Sequence, residues 1–213
     1  MNKNKIYPLW PIFVGEFHNE EHQGIKNDLI EFFHDYEKEI KTSRVGVENH
    51  NLFESKYNLH KEKSKSLSKV FNFIAKGFLA MSSNINKEYV HKLENKNPSF
   101  DVNIKNSWFI RYNNGGNVMP HDHGECSLSC VYYVQADKEP TTMNGSTYFI
   151  KPYLAQKTAD FGGNYMGSDQ FSMNAEEGKL IIFPGYLYHG SRAYVGENDR
   201  IIISANTKTD LIV

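Results

Sequence analysis

The sequence has 213 residues, a length typical of one substantial domain rather than two. Its 24 Lys and Arg residues nearly balance its 25 Asp and Glu residues, so the charge gives no signal for sequence-independent nucleic-acid binding. The N-terminus reaches a proline before any long apolar run, which argues against a signal peptide or membrane span and predicts a soluble, cytoplasmic protein. Cys126 and Cys130 are four residues apart in one predicted strand, where the geometry disfavours a bridge between them, so both are expected to be reduced thiols.

Two helices are predicted in the first half of the chain. Apolar residues recur at intervals of three and four over residues 20–41, and Asn19 or His18 is the candidate N-cap of this segment. A second apolar stripe with the same period covers residues 63–93. The polar stretch between the two segments predicts a loop that packs over another part of the molecule.

From Val102 onward, short runs of aromatic and β-branched residues are separated by Gly, Asn, Asp and Pro, a pattern typical of strands. Helices followed by strands without intervening helices predict a mainly β, α+β fold in which the helices pack on one side of a sheet or barrel. We expect a single domain over residues 1–213, with helical support in 1–100 and the strand core in 101–213. The predicted strands are 102–112, 128–134, 147–150, 179–183 and 200–207, with one or two more near Phe171 and Ser191.

The motif His121-Asp122-His123 is the first candidate for a metal site. On an extended backbone, residues two apart project from the same face with Cα atoms about 6.6–6.8 Å apart, so two imidazoles can converge on one ion. His189 is the candidate third ligand, because an apolar strand and a Pro-Gly turn precede it and an edge position leaves coordination sites open. The alternative is that these are ordinary surface or core histidines.

Arg200 is the candidate anion-binding residue. A guanidinium on an inward face needs a partner, and a carboxylate matches its planar fork bidentately. Ser204 could donate a second hydrogen bond to the same carboxylate. The alternative is a surface salt bridge from Arg200 to Asp199 or Glu197. By the period of two, alternate residues of this strand share one face: Arg200, Ile202, Ser204 and Asn206.

The C-terminal half thus carries a series of elements in a fixed order. They read Tyr112-Asn-Asn-Gly115-Gly116, Pro120-His121-Asp122-His123, Cys130-Val131-Tyr132-Tyr133-Val134, His189 and Arg200. Their order and spacing resemble those of the 2-oxoglutarate and Fe(II)-dependent oxygenases of the prolyl-hydroxylase type. The resemblance is closer still to a bacterial and phage group in which a histidine takes the third place of the metal motif. It covers the C-terminal half strongly and the helical half by general layout.

This resemblance implies a double-stranded β-helix, a jelly-roll or cupin-like barrel with the helices packed on one sheet. It implies Fe(II) held by His121 and His189, with Arg200 binding the distal carboxylate of 2-oxoglutarate. By the same resemblance, Tyr133 supports that carboxylate and Tyr112 lies over the co-substrate. The implied reaction uses O2 to hydroxylate a substrate and releases succinate and CO2.

The metal motif departs from the commonest pattern at one ligand. The usual facial triad has two histidines and one carboxylate, whereas His123 here takes the place of the carboxylate. Asp122 is adjacent, but on a regular strand it would point to the opposite face. Either three neutral imidazoles bind the metal, which we prefer, or a local twist turns Asp122 inward and frees His123.

Two other classes of function stay open from the sequence. One is a metal-dependent hydrolase or isomerase on the same barrel, in which a three-histidine zinc ion activates water. The other is a non-catalytic, metal-binding relative. Arg200 and Ser204 argue against the hydrolase, which needs no dicarboxylate clamp. The sequence decides neither between a small-molecule and a protein substrate nor the oligomeric state. We expect residues 151–170 and the polar loop before the second helix to border the substrate entrance and to be mobile without ligand.

Overall fold

The computed structural model describes residues 11–39, 51–93, 98–136, 143–152 and 169–212. These residues contain ten strands: β1 (Gly15–His18), β2 (Leu52–Glu54), β3 (Ser99–Tyr112), β4 (Val118–His121), β5 (Leu128–Gln135), β6 (Thr147–Ile150), β7 (Gln170–Met173), β8 (Lys179–Pro184), β9 (His189–Ser191) and β10 (Arg200–Ile212). The helices are α1 (Lys26–Glu39), α2 (Lys65–Ile85) and α3 (Lys87–His91), with short 3-10 turns at His22–Gly24 and Leu59–Lys61.

The strands form two antiparallel sheets. The major sheet has the order β1-β8-β5-β10-β3-β2, and the minor sheet has the order β4-β9-β6-β7. One apolar cluster joins inward-facing residues of the two sheets, among them Trp108 and Ile202 of the major sheet and Phe149 of the minor sheet. The fold is the predicted jelly roll, with its strands in two facing layers.

The helices cover the other face of the major sheet. The apolar stripe of α2 packs there through side chains such as Val70, Ile74 and Phe78, which belong to one buried cluster with residues of the sheet such as Leu180 and Ile203. Ser64 is the N-cap of α2: its hydroxyl accepts the backbone N–H of Leu67 at 3.4 Å and so satisfies one unpaired donor of the first turn. The predicted packing of helices on one sheet is confirmed.

Both helices differ from their predicted bounds. The first, α1, is preceded by the 3-10 turn at His22–Gly24, and the side chain of Asn19 accepts the backbone N–H of Glu21 at 3.1 Å before that turn. Neither Asn19 nor His18 therefore caps α1. The second helical segment breaks at Asn86, whose side-chain amide donates to the carbonyl of Ser82 at 2.8 Å. Such local side-chain bonds to the backbone compete with helix continuation.

All five predicted strands are present, and the two expected near Phe171 and Ser191 are β7 and β9. The predicted strand 200–207 continues to Ile212, past a bulge between Asn206 and Thr207. Three short strands, β1, β2 and β4, were not predicted, because three or four residues of mixed polarity carry too little periodicity. Most of the expected entrance segment, residues 153–168, lies outside the described residues, as do residues 40–50.

One cluster of ion pairs ties the helical layer to the strands. Arg111 of β3 donates to both carboxylate oxygens of Glu37 on α1, at 2.7 and 2.8 Å. It also donates to Asp199, the residue before β10, at 3.1 Å. A bidentate arginine pair that is mostly buried fixes geometry as well as adding stability. The cluster therefore anchors α1 against β3 and β10.

Two further sequence predictions can be compared with the fold. Cys126 and Cys130 are both free thiols, as predicted. Among the helices described, none combines the length and apolar character needed to cross a membrane.

Candidate active site

A cavity of about 430 Å³ lies between the two sheets. Its lining includes His121, His123, His189 and Arg200, the four residues predicted to carry the chemistry. They come from β4, the turn after it, β9 and the start of β10. The fold therefore brings together residues that are up to 79 positions apart in the sequence.

The floor of this cavity is made by inward-facing residues of β3 and β10. Four cross-strand pairs follow one another along it: Arg200 with Tyr112, Ile202 with Ile110, Ser204 with Trp108, and Asn206 with Asn106. All eight side chains line the cavity. This confirms that alternate residues of β10 share the inward face, and it orders the floor from the arginine end to the asparagine end.

Three histidines converge at the side of the cavity. His121 and His189 are paired in register between β4 and β9, and His123 follows two residues after His121. Their ligand nitrogens all lie within 4.8 Å of one another. Nε2 of His123 is 3.1 Å from Nε2 of His189. This spacing is short enough for all three nitrogens to bind one metal ion at the usual bond length of about 2.0–2.1 Å.

Backbone carbonyls fix the tautomers of two of these histidines. Nδ1 of His121 lies 2.8 Å from the carbonyl of Met119, and Nδ1 of His189 lies 2.9 Å from the carbonyl of Leu187. A carbonyl only accepts, so Nδ1 carries the hydrogen and Nε2 keeps its lone pair. This outer support is typical of metal-binding histidines.

The third histidine is held by ring contacts. The ring of His123 lies 5.7 Å from that of Trp108 and 4.9 Å from that of His189, centroid to centroid. Burial, together with the neighbouring His121, lowers the pKa of His123 to about 4 and that of His189 to about 3. Both imidazoles are therefore neutral at pH 7, the form that binds a metal.

Asp122 stands apart from the three nitrogens. It is exposed, and its carboxylate accepts the backbone N–H of Gly124 at 3.0 Å in a local turn. In the part of the chain that the structure describes, the convergent group consists of the three histidines without this carboxylate. The placement supports His123 rather than Asp122 as the candidate ligand.

Arg200 lies at the far end of the floor and is completely buried, with 0% of its surface exposed. Its guanidinium carbon is 4.3 Å from the ring centroid of Tyr112 and 5.3 Å from that of Tyr133. None of its three side-chain nitrogens has a hydrogen-bond partner among the described residues. The alternative salt bridge to Asp199 is not formed, because that carboxylate binds Arg111. A buried guanidinium stacked on rings but without an anion is poised to bind one.

The two candidate tyrosines differ in their surroundings. The hydroxyl of Tyr133 lies 2.7 Å from that of Thr147 and accepts the backbone N–H of Thr147 at 3.1 Å. Of these two residues, Thr147 lines the cavity. Tyr112 also lines the cavity, with its ring beneath Arg200. Burial raises the pKa of its phenol, and Arg200 and a hydrogen bond to Ser191 offset only part of this rise.

Ser204 lies nearer the histidines than the arginine. Four residues along a strand separate the Cα atoms of Ser204 and Arg200 by about 13 Å. Ser204 is paired with Trp108, whose ring contacts His123. The register therefore disfavours the prediction that Ser204 and Arg200 share one carboxylate.

Several cavity residues were missed from the sequence. Trp108 and Asn106 could have been found, because they share the period of two with Tyr112 on β3. Thr147 gave no signal beyond its strand. Nor did the wall formed by β2 and the turn after it, which contributes three residues to the cavity: Leu52, Glu54 and Tyr57.

The part of the chain that carries this site was compared with known protein families. Residues 106–206, which include the three histidines and Arg200, match the model of a family described as "Putative 2OG-Fe(II) oxygenase". This match confirms the resemblance seen in the sequence. No curated protein matches the chain significantly.

Solved structures with the same fold are also found. A prolyl-4-hydroxylase from Pseudomonas putida is 12% identical, with 92% of each chain covered and a TM-score of 0.59. HygX from Streptomyces hygroscopicus, with nickel, 2-oxoglutarate and hygromycin B bound, is 11% identical over 92% of this chain and 83% of that one, with a TM-score of 0.56. AviO1 from Streptomyces viridochromogenes Tue57 is 9% identical over 92% and 90%, with a TM-score of 0.60. At these identities the likeness establishes the fold.

Proposed function

We propose that this chain, whose residues 106–206 match the 2-oxoglutarate and Fe(II) oxygenase family, is a dioxygenase that hydroxylates its substrate and releases succinate and CO2. The observation that carries the proposal is Arg200. It is completely buried, lacks an anion among the described residues and shares one cavity with three convergent histidines. This pairing of a carboxylate clamp with a metal site is what a 2-oxo dicarboxylate needs.

The histidines fit a divalent first-row metal. Imidazole nitrogen suits iron as well as zinc, nickel and copper, and the cavity leaves coordination positions free for other ligands. His121, His123 and His189 would hold the ion, with two tautomers already fixed for binding. Bound Fe(II) supplies the one-electron chemistry by which O2 is activated. A third imidazole in place of a carboxylate makes the site more positive by one charge, which favours a dianionic co-substrate.

The residues between Arg200 and the histidines fit the rest of 2-oxoglutarate. The guanidinium would bind the distal carboxylate through paired N–H donors, with the ring of Tyr112 keeping the group in plane. The next pair along the floor is apolar, Ile202 with Ile110, and suits the methylene carbons. The chain's own part is thus to orient the co-substrate and to exclude water from it. HygX, described with nickel and 2-oxoglutarate bound, shows that this fold accommodates both.

The same arginine separates this proposal from its rivals. A three-histidine zinc hydrolase activates water at the metal and has no use for an unpaired, buried guanidinium. A non-catalytic relative would keep the metal and the co-substrate without turnover. Succinate formation distinguishes the oxygenase from both.

The test begins with metal content. Purified protein should contain one divalent metal ion per chain, and His121→Ala and His189→Ala should each abolish it, as measured by plasma mass spectrometry. His34→Ala is the matched control, because His34 is exposed on α1. Wild-type protein with Fe(II), ascorbate and O2 should then convert 2-oxoglutarate to succinate. Unchanged metal content in both variants would contradict the metal site, and metal binding without succinate would contradict the oxygenase.

A further inference from the structure

The asparagine end of the cavity floor is too far from Arg200 to serve the same small ligand. Six residues separate Arg200 from Asn206 along β10, about 20 Å between their Cα atoms. A five-carbon diacid, with C–C bonds of about 1.5 Å, spans roughly 6 Å. Trp108, which contacts His123, lies between the two ends. The pair Asn106 and Asn206 therefore lies beyond the histidines as seen from Arg200, where the co-substrate does not reach.

The two side chains present complementary hydrogen-bonding groups. Asn206 is buried, and its Oδ1 accepts the hydroxyl hydrogen of Ser129 at 2.8 Å, which fixes the amide and leaves Nδ2 as a donor. Oδ1 of Asn106, directly across the strand pair, is buried without a partner among the described residues. An acceptor in that condition is costly unless a ligand or water satisfies it. The bulge that follows Asn206 is a device that often aims side chains beside active sites.

We propose that Asn106 and Asn206 form a substrate subsite that binds an amide, either a peptide bond or a primary carboxamide. This rests on the proposed function, because the amide belongs to the group to be oxidised. The amide carbonyl accepts from Nδ2 of Asn206, and its N–H donates to Oδ1 of Asn106. Trp108, in the next row, offers a flat apolar surface to the carbon skeleton beside that amide.

Other simple groups match the pair less well. An ammonium only donates, so it would leave Nδ2 of Asn206 without an acceptor. A carboxylate only accepts, so it would leave Oδ1 of Asn106 unsatisfied. An ester has the acceptor but lacks the donor. An amide holds one of each in a single plane.

The experiment uses 15N-labelled protein loaded with Zn(II), which is diamagnetic, and with 2-oxoglutarate. N-methylpropionamide (peptide-like), propionamide (primary amide), methyl propionate (ester) and methyl glucoside (polyol) are titrated while the side-chain NH2 signals of Asn106 and Asn206 are followed. The variants are Asn106→Ala and Asn206→Asp. Asn103→Ala is the control, because Asn103 lies on the same strand but is exposed.

We expect at least one amide to shift both asparagine signals saturably. The amide with the higher affinity shows whether the subsite prefers a peptide bond or a primary carboxamide. The ester should bind about threefold to tenfold more weakly, the effect of one hydrogen bond. Each subsite variant should lose a similar factor for the amide, and the control should lose none. Equal binding of the ester or the glucoside, or signals unmoved by every probe, would overturn the subsite. Affinity for 2-oxoglutarate, read separately from the Arg200 side-chain signal, tests the proposed function independently.

Discussion

Replacing Arg200 with methionine should remove most of the affinity for 2-oxoglutarate while leaving the ligand-free protein at least as stable. The guanidinium is completely buried and has no anion in the described structure. An unpaired buried charge costs folding free energy, so an unbranched apolar side chain in its place relieves that cost. The lost contact is the stacking on Tyr112 at 4.3 Å, a smaller contribution.

The magnitude follows from the burial of the site. Truncating one partner of a buried, hydrogen-bonded charge pair costs about 2–5 kcal/mol. At 1.4 kcal/mol per decade, the dissociation constant of 2-oxoglutarate should rise roughly thirtyfold to several thousandfold. Arg200→Lys should recover only part of this loss, because an ammonium cannot present two parallel donors to a carboxylate.

The assay is calorimetric titration of 2-oxoglutarate into Zn(II)-loaded protein, with thermal unfolding of each variant measured with and without the ligand. In the wild type, ligand at about 100 times its dissociation constant should add about 2.7 kcal/mol of stability, and Arg200→Met should lose this gain. The reasoning is refuted if all three proteins bind alike. It is equally refuted if Arg200→Met lowers the melting temperature of the ligand-free protein without changing ligand affinity, since Arg200 would then be structural.

Three further outcomes are expected. His123→Ala should lower the metal affinity more than Asp122→Ala does, measured by competition with a chelating dye; the reverse order would make Asp122 the ligand. Ser204→Ala should change 2-oxoglutarate binding by less than about tenfold in the same calorimetric titration, because Ser204 lies about 13 Å from Arg200 along β10; a larger loss would place Ser204 in the carboxylate site of Arg200. Burial lowers the pKa of His22 in the folded protein. As the pH falls below 6.5, His22 therefore takes up a proton in the unfolded chain before it does so in the folded one, and the free energy of unfolding decreases. His22→Gln should reduce the loss of denaturant stability between pH 7.5 and pH 5.5 relative to wild type; an identical loss in both proteins would show that His22 contributes nothing to it.

The sequence anticipated the site where chemistry depends on local spacing. His121 and His123 share a face because they are two residues apart, and Arg200 shares a face with Asn206 because six residues, also an even number, separate them on one strand. These relations follow from the strand period and need no knowledge of tertiary structure. The jelly roll was implied by the order of the motifs.

The sequence did not reveal which residues pair across neighbouring strands. Nothing local indicates that Trp108 pairs with Ser204 or that its ring contacts His123. The expectation that Ser204 and Arg200 would share a carboxylate overlooked the rise along one strand, which separates their Cα atoms by about 13 Å. The sequence also did not show that the Asp122 carboxylate accepts the backbone N–H of Gly124 in a local turn, because that hydrogen bond depends on the backbone conformation.

The bridge from Arg111 to Asp199 also sets which carboxylates Arg200 can meet. On paired strands, consecutive residues face opposite layers, so Arg111 and Asp199 meet on the helical side while Tyr112 and Arg200 face the cavity. A slip of one residue between β3 and β10 would exchange these faces and break the bridge. The bridge thus stabilises the observed alignment of β3 and β10. It also holds the Asp199 carboxylate on the helical side of the sheet, so that Arg200 stays available to a carboxylate that enters the cavity from solution.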